Sequence, residues 1–354
     1  MMWYFLLRFC HYYKIHFISF RGNIIMSITV RFSKVYLIGQ VAVTGNKEKE
    51  GPMCNFYDFC FGDEKAHQDT FEDGESAMIK KALTLLLKKT KLKYEDIGLV
   101  FGGDLSNQLS SSSQCFKDVP LSFIGLYSAC STYILALGLA SSFINAKYVD
   151  NALCYASSNY GVCERQFRYP LEYGICKKNT TTVTVSGVGA SIVSSFMSKI
   201  EVVSFTIGEV YDSTYNNVDD LGGVMAYSAF HVINAHLNKT NSKIEDYDLI
   251  VTGDLSSKGS MVLREMFKKD HKNLINYCDA GEIVYNLEDK KTYAGGSGAG
   301  CIAIFMSFIC TKMNKGEIKR CLLVGTGALH SQTSTLQNKS IPTISHAVEL
   351  RRVS

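Results

Sequence analysis

Two stretches of the chain, 76–89 and 224–237, space their apolar residues at helical intervals, and each leads into a short β-branched or aromatic run ending in glycine. The runs that follow, EDIGLVFGGDLSNQ (95–108) and EDYDLIVTGDLSSK (245–258), are identical at 7 of 14 positions and share the tetrad GDLS. Two copies of one pattern predict duplicated halves. The likeness continues downstream: LSFIGLY, SACSTYILALGLASSFINAK and ALCYASS in the first half match GEIVYNL, TYAGGSGAGCIAIFMSFICTK and CLLVGTGA in the second. Both series read strand, tight turn, apolar helix, strand.

The segment 131–145 carries no charge on any side, so its helix is expected between two layers rather than on a surface. Strands without polar alternation imply sheets covered on both faces, which predicts parallel pairing. The architecture expected is α/β, a five-layered α/β/α/β/α sandwich of two duplicated halves, 27–200 and 201–354. No Pro, Gly or Ser-rich linker separates them.

Residues 1–26 stand apart. No acidic residue precedes Glu48, and Arg8 interrupts the opening WYFLL before a bilayer-spanning apolar run can form. A dispensable extension, disordered or upstream of a start at Met26, is the preferred reading, with an amphipathic membrane anchor as the alternative.

Composition narrows the function classes. With 354 residues, 46% hydrophobic and 20% charged, with 4 prolines and 28 glycines, the chain supports a large core and is neither collagen-like nor disordered. Its 37 Lys and Arg against 33 Asp and Glu give a net charge of +4, mild enough to favour small anions and too small for a nucleic-acid binder. The 12 cysteines contain no CxxC pair and sit mostly in apolar runs, as reduced thiols do. No metal is expected.

Cys130, where a strand turns into the buried helix, is the first candidate for chemistry. A helix N-terminus and its free amides would lower its pKa and stabilise a thiolate. Among the 8 histidines, His346 in SIPTISHAV is the preferred site residue over His330, which follows GTGAL, with a satisfied core histidine as the alternative. Arg165 and Arg168 in CERQFRYPLEYG are three apart among aromatics, and guanidinium forks suit carboxylates. AGGSGAGC (294–301) opens an apolar helix but is neither GxGxxG nor a Walker loop, so no nucleotide cofactor is expected.

The turn ACST, the paired half-repeats and the glycine-rich turn resemble the thiolase-like superfamily. Within it, GDLSNQ, LYSACST, RQFRYPLEYG, TVTVSGVGA, DYDLIVTGDLS, YAGGSGAGC, VGTGAL and SIPTISHAV are similar, in order, to segments of the stage V sporulation protein AD family. That resemblance implies a protein of endospore-forming bacteria that binds dipicolinic acid and supports its uptake into the developing spore. Its partners would be membrane proteins of the spore dipicolinate uptake system, and its place the forespore or spore, soluble or peripheral to the inner spore membrane. Homodimers are common in this fold.

The resemblance also places Cys130 at the superfamily's nucleophile position, with Ser297 and Cys301 in the turn opposite. Where condensing enzymes carry a histidine after the second-half strand, this chain has Gly253 and Asp254, and its second turn has glycine in place of asparagine or histidine. Missing proton carriers favour binding over catalysis, with an acyltransferase or condensing enzyme acylated on Cys130 as the alternative. Against the sporulation family's own pattern, Asn159 stands where histidine is expected, and Tyr227 and His231 where proline and an acid are expected.

Overall fold

The computed structural model describes residues 27–353, except 169–170, 175–176 and 289–292. The readings made for the N-terminal extension lie outside the described residues. The first half runs β1 (Ile28–Arg31), β2 (Tyr36–Thr44), α1 (Phe71–Thr90), β3 (Leu99–Gly103), β4 (Phe123–Gly125), α2 (Thr132–Asn145), β5 (Asn151–Ser158), α3 (Tyr160–Phe167) and β6 (Gly187–Ser194). The second runs β7 (Ile200–Ile207), α4 (Leu221–Thr240), β8 (Leu249–Thr252), α5 (Ser256–Lys269), β9 (Tyr277–Asp279), α6 (Ala299–Lys315), β10 (Arg320–Ala328) and β11 (Pro342–Arg352).

Strand order is β9-β8-β10-β11-β7 in the second half and β2-β6-β5-β3-β4 in the first, so each half repeats the other's topology. The two half-sheets meet edge to edge at one antiparallel pair, Tyr36 with Glu201. Among these ten strands, pairing is parallel between β4, β3 and β5 and between β9, β8 and β10, while β6 and β2, like β11 and β7, run antiparallel. The expected all-parallel sheet is therefore corrected. Helices cover both faces of the central strands, so β5 and β6 read apolar whatever their direction, and the pattern carries no signal of polarity.

Three layers of apolar contact hold the sandwich. On the outside of the first half, Met78, Ile79, Leu83 and Leu86 of α1 pack on Val41, Val100, Leu153 and Val188. On the outside of the second, Val232, Ile233 and Leu237 of α4 pack on Leu322, Val324 and Ala347. Between the half-sheets, Tyr133, Ile134 and Leu137 of α2 share one core with Ile302, Phe305 and Met306 of α6. The uncharged helix is thus central, as its composition requires. Gly138 lets α2 approach closely, since a Cβ there would lie 2.4 Å from the Phe205 ring.

The repeat is visible in detail. Asp96 accepts from the Lys93 backbone N–H at 2.8 Å, and Asp246 accepts from Lys243 at 2.8 Å, so each copy of the repeat opens on the same carboxylate-capped turn. One expectation fails: GEIVYNL is not a strand. The strand is Tyr277–Asp279, and Asp279 then caps a helical turn, Ala280–Ile283, by accepting from Gly281 N–H at 2.9 Å.

Candidate functional site

The C-terminal ends of β3, β8 and β10 open onto one solvent-exposed cleft. Cys130, Arg168, Asp254, Ser297 and Gly298 line it together with Tyr127, Phe167 and His330. Residues from both halves therefore meet here.

Cys130 sits at a bend in which Ala129 adopts φ 46°, the left-handed region that non-glycine residues rarely occupy. The N–H groups of Ser131 and Thr132 turn back onto the carbonyls of Ser128 and Ala129 at 3.1 and 3.2 Å, so the start of α2 does not offer those two amides to a ligand. Burial pushes the Cys130 thiol well above its ordinary pKa, and the Asp254 carboxylate beside it, which accepts the thiol's hydrogen bond, pushes further. The expected thiolate is corrected to a protonated thiol. Proximity to a helix start loses here to desolvation and a neighbouring acid.

Asp254 lies two residues beyond the end of β8 and is fully buried. It accepts from Thr326 Oγ1 at 2.5 Å and from Gly298 N–H at 3.3 Å. Burial lifts its carboxyl to about 6 despite these bonds. Gly298 reaches this position at φ +104°, and a Cβ would lie 2.7 Å from Ser158 Oγ, so the turn requires glycine.

Arg168 forms the cationic wall. The chain leaves α3 at this residue (φ −129°, ψ −98°), which swings its side chain off the helix face. Its Nη1 donates to Glu164 Oε1 at 2.5 Å and its Nη2 to Thr182 Oγ1 at 3.3 Å, while Nε is buried without a partner. Thr182 in turn donates to Ser297 at 2.8 Å. Lys177 joins the same Glu164 carboxylate at 2.9 Å. Two cations on one acid leave the wall positive.

The other sequence-derived residues fall elsewhere. Arg165 stays on α3 and pairs with Glu72 of α1 at an exposed position, outside the cleft lining. Cys301 is buried in α6, behind the lining. His346 lies in β11 under the Cys130 bend, where Nε2 meets Ser128 Oγ at 3.1 Å and Nδ1 accepts from Gly208 N–H at 3.3 Å, and burial lowers its pKa to about 4. It props the bend and stays neutral.

Tyr127, Phe167 and the half-buried His330 line the cleft and are not among the residues expected from sequence, where His346 is preferred over His330. The rings of Phe167 and His330 lie 5.4 Å apart, and burial with the Arg168 charge lowers the imidazole to about 4. Adjacency of Phe167 to Arg168 was the available signal. Asn159 caps α3 by accepting from Gly161 N–H at 2.9 Å, a structural role. Among the described residues, no three His, Cys, Asp or Glu side chains gather in a metal-holding arrangement.

Comparison with known proteins follows from this geometry. The chain superposes on 3-oxoacyl-[acyl-carrier-protein] synthase III from Aquifex aeolicus VF5 with a TM-score of 0.56 and 15% identity, covering 90% of this chain and 99% of that one. Two structures of Xanthomonas campestris OleA variants, each 14% identical, give TM-scores of 0.58 and 0.59 over 91% of this chain and 99% of theirs. These likenesses establish a thiolase-like fold. The sequence is 36% identical over 310 residues to stage V sporulation protein AD of Bacillus subtilis (strain 168), spanning 87% of this chain and 91% of that protein. The family profile described as stage V sporulation protein AD matches residues 27–351. The profile match over nearly the whole described chain and the identity to the Bacillus subtilis protein make this chain a member of the stage V sporulation protein AD family.

Proposed function

We propose that this sporulation protein binds dipicolinic acid in the cleft between its halves and supports uptake of that ligand into the developing spore, without chemistry at Cys130. The observation that carries the reading is the pairing of Cys130 with Asp254 in a cleft walled by Arg168. Burial and the adjacent negative charge hold the thiol protonated, and acyl transfer needs a thiolate and an oxyanion donor set. A planar dianion instead finds the Arg168 guanidinium, the Ser297 hydroxyl and the flat faces of Phe167, His330 and Tyr127. The ligand would be handed on by membrane proteins of the uptake system, at the inner spore membrane.

Isothermal calorimetry of the purified protein with dipicolinate tests the reading. Saturable heat that competes with no simple monocarboxylate is expected; absence of heat at millimolar ligand with the fold intact would overturn it.

A second reading, acyl transfer through Cys130, is favoured by the strained Ala129 bend and by the Gly298 amide directed at the thiol. Mass spectrometry after incubation with acyl-CoA decides between them. An adduct on Cys130 that is absent in Cys130→Ser would establish catalysis.

A further inference from the structure

The end of the molecule opposite the cleft carries a second surface. The turns there precede β2, β5, β7 and β10, whose N-terminal ends point away from the site. They are tied into one face: Ser33 N–H donates to Asn145 Oδ1 at 3.0 Å, Ser195 N–H to the Asp150 carbonyl at 3.0 Å, Val353 N–H to the Lys199 carbonyl at 2.9 Å, and Arg352 N–H to the Lys319 carbonyl at 2.7 Å.

Three large apolar side chains project from it, Tyr148 (74% exposed), Phe196 (62%) and Met197 (71%), on turns joined by the Ser195–Asp150 bond. Exposed lysines surround them: Lys34, Lys147, Lys199, Lys315 and Lys319. The acids on the same turns are Asp150, which accepts from Ser195 Oγ at 3.3 Å, and Glu317, paired with Lys312 at 2.5 Å. Of the acids on the flanking turns after α1 and α4, Asp96 and Asp246 are occupied as caps, Asp248 accepts from the Lys319 and Arg320 backbone N–H groups at 2.7 and 2.9 Å, and Glu95 and Glu245 stand exposed at the edge of the face. Helix C-termini favour lysine in any protein, which accounts for Lys147 and Lys315. It does not account for Lys34 or Lys199, which sit before strands, nor for an aromatic and a thioether side chain in succession on the five-residue turn between β6 and β7.

We infer that this face docks onto an anionic lipid surface, with Phe196, Met197 and Tyr148 entering the headgroup region and the lysines meeting lipid phosphates, so that the cleft faces away from the bilayer. Separate apolar tips on neighbouring turns, rather than a groove, fit an interface that deforms around them, and the dispersed lysines match a charged plane better than one peptide. No helix among the described residues is long and apolar enough to cross a membrane, so attachment through this face is by surface contact.

Vesicle sedimentation with the full chain tests this. Binding to phosphatidylglycerol-containing vesicles and not to pure phosphatidylcholine, weakened by salt, is the expected result. The variant Lys147→Glu/Lys199→Glu should lower the partition coefficient by at least about tenfold, from roughly fivefold per lysine removed from a charged surface. Phe196→Ser/Met197→Ser should lower it as well, with calorimetric dipicolinate binding unchanged in both. Equal binding to neutral vesicles, or full binding by both variants, would overturn the inference, the latter by moving attachment to another part of the chain. Failure to bind any vesicle while an acidic protein partner is captured through these lysines would also overturn it, in favour of a protein interface.

Discussion

Asp254, from the second half of the duplication, holds the thiol of Cys130, from the first, by a hydrogen bond across the interface of the two halves. The carboxylate makes the thiol harder to ionise, while the thiol's hydrogen bond offsets part of the burial that raises the carboxyl. Removing the charge should release the thiol. In Asp254→Asn, alkylation of Cys130 by iodoacetamide at pH 8 is expected to run severalfold faster than in the parent protein, read by peptide mass spectrometry. An unchanged rate would show that burial alone suppresses the thiol.

The same carboxyl sets a pH dependence for ligand capture. With Asp254 ionising at about 6, a bound dianion favours its protonated form, so affinity for dipicolinate should rise as pH falls from about 7 toward 5 and proton uptake should accompany binding. Calorimetry in buffers of different ionisation enthalpy reads the uptake directly. Asp254→Asn should flatten the profile over that range.

Arg168→Ala should weaken dipicolinate binding by about 10- to 150-fold, the loss of one charge-assisted contact of about 1.5–3 kcal/mol. Arg165→Ala should leave it unchanged, because Arg165 pairs with Glu72 outside the cleft. A reversed pattern would place the ligand elsewhere on α3.

Gly298→Ala tests the turn between the halves. Its φ of +104° and the 2.7 Å approach to Ser158 predict a loss of about 1–3 kcal/mol, seen as a lower melting temperature. Ligand affinity should fall too, since the Gly298 amide faces the Cys130–Asp254 pair.

Beneath the cleft, Glu75 is fully buried; it accepts from Ser157 at 2.8 Å and has its other oxygen unpartnered. Burial, then the Asp104 charge, raise it to about 8. A carboxyl with a raised folded pKa binds its proton more tightly in the folded than in the unfolded chain, so this group's contribution to stability falls as pH rises from about 4.5 to about 8. Glu75→Gln should therefore match the parent at pH 5 and melt at a higher temperature at pH 9.

The duplication, the central helix and the glycine turn were legible because each leaves a mark within a short stretch: GDLS twice, no charge in 131–145, and AGGSGAGC before an apolar run. The ionisation state of Cys130 was not, because it depends on Asp254, 124 residues away in a segment whose own pattern says only that a strand ends there. Arg165 and Arg168 looked equivalent in sequence. What separates them is the backbone leaving the helix at Arg168, a dihedral event that spacing does not encode. His346 and His330 divided likewise, since strand β11 buries one under the bend while the other follows the end of β10 and faces the cleft.

The shared middle layer has a mechanical consequence. Since α2 and α6 pack into both half-sheets as a single core, the halves cannot swing apart about a hinge to admit a guest without exposing that entire interior to water. Entry and exit must instead depend on side-chain rotations and small loop excursions at the mouth, where Phe167 and His330 stand as the movable pieces. Exchange should then be paced by local breathing of the rim, leaving the body as stiff when loaded as when empty.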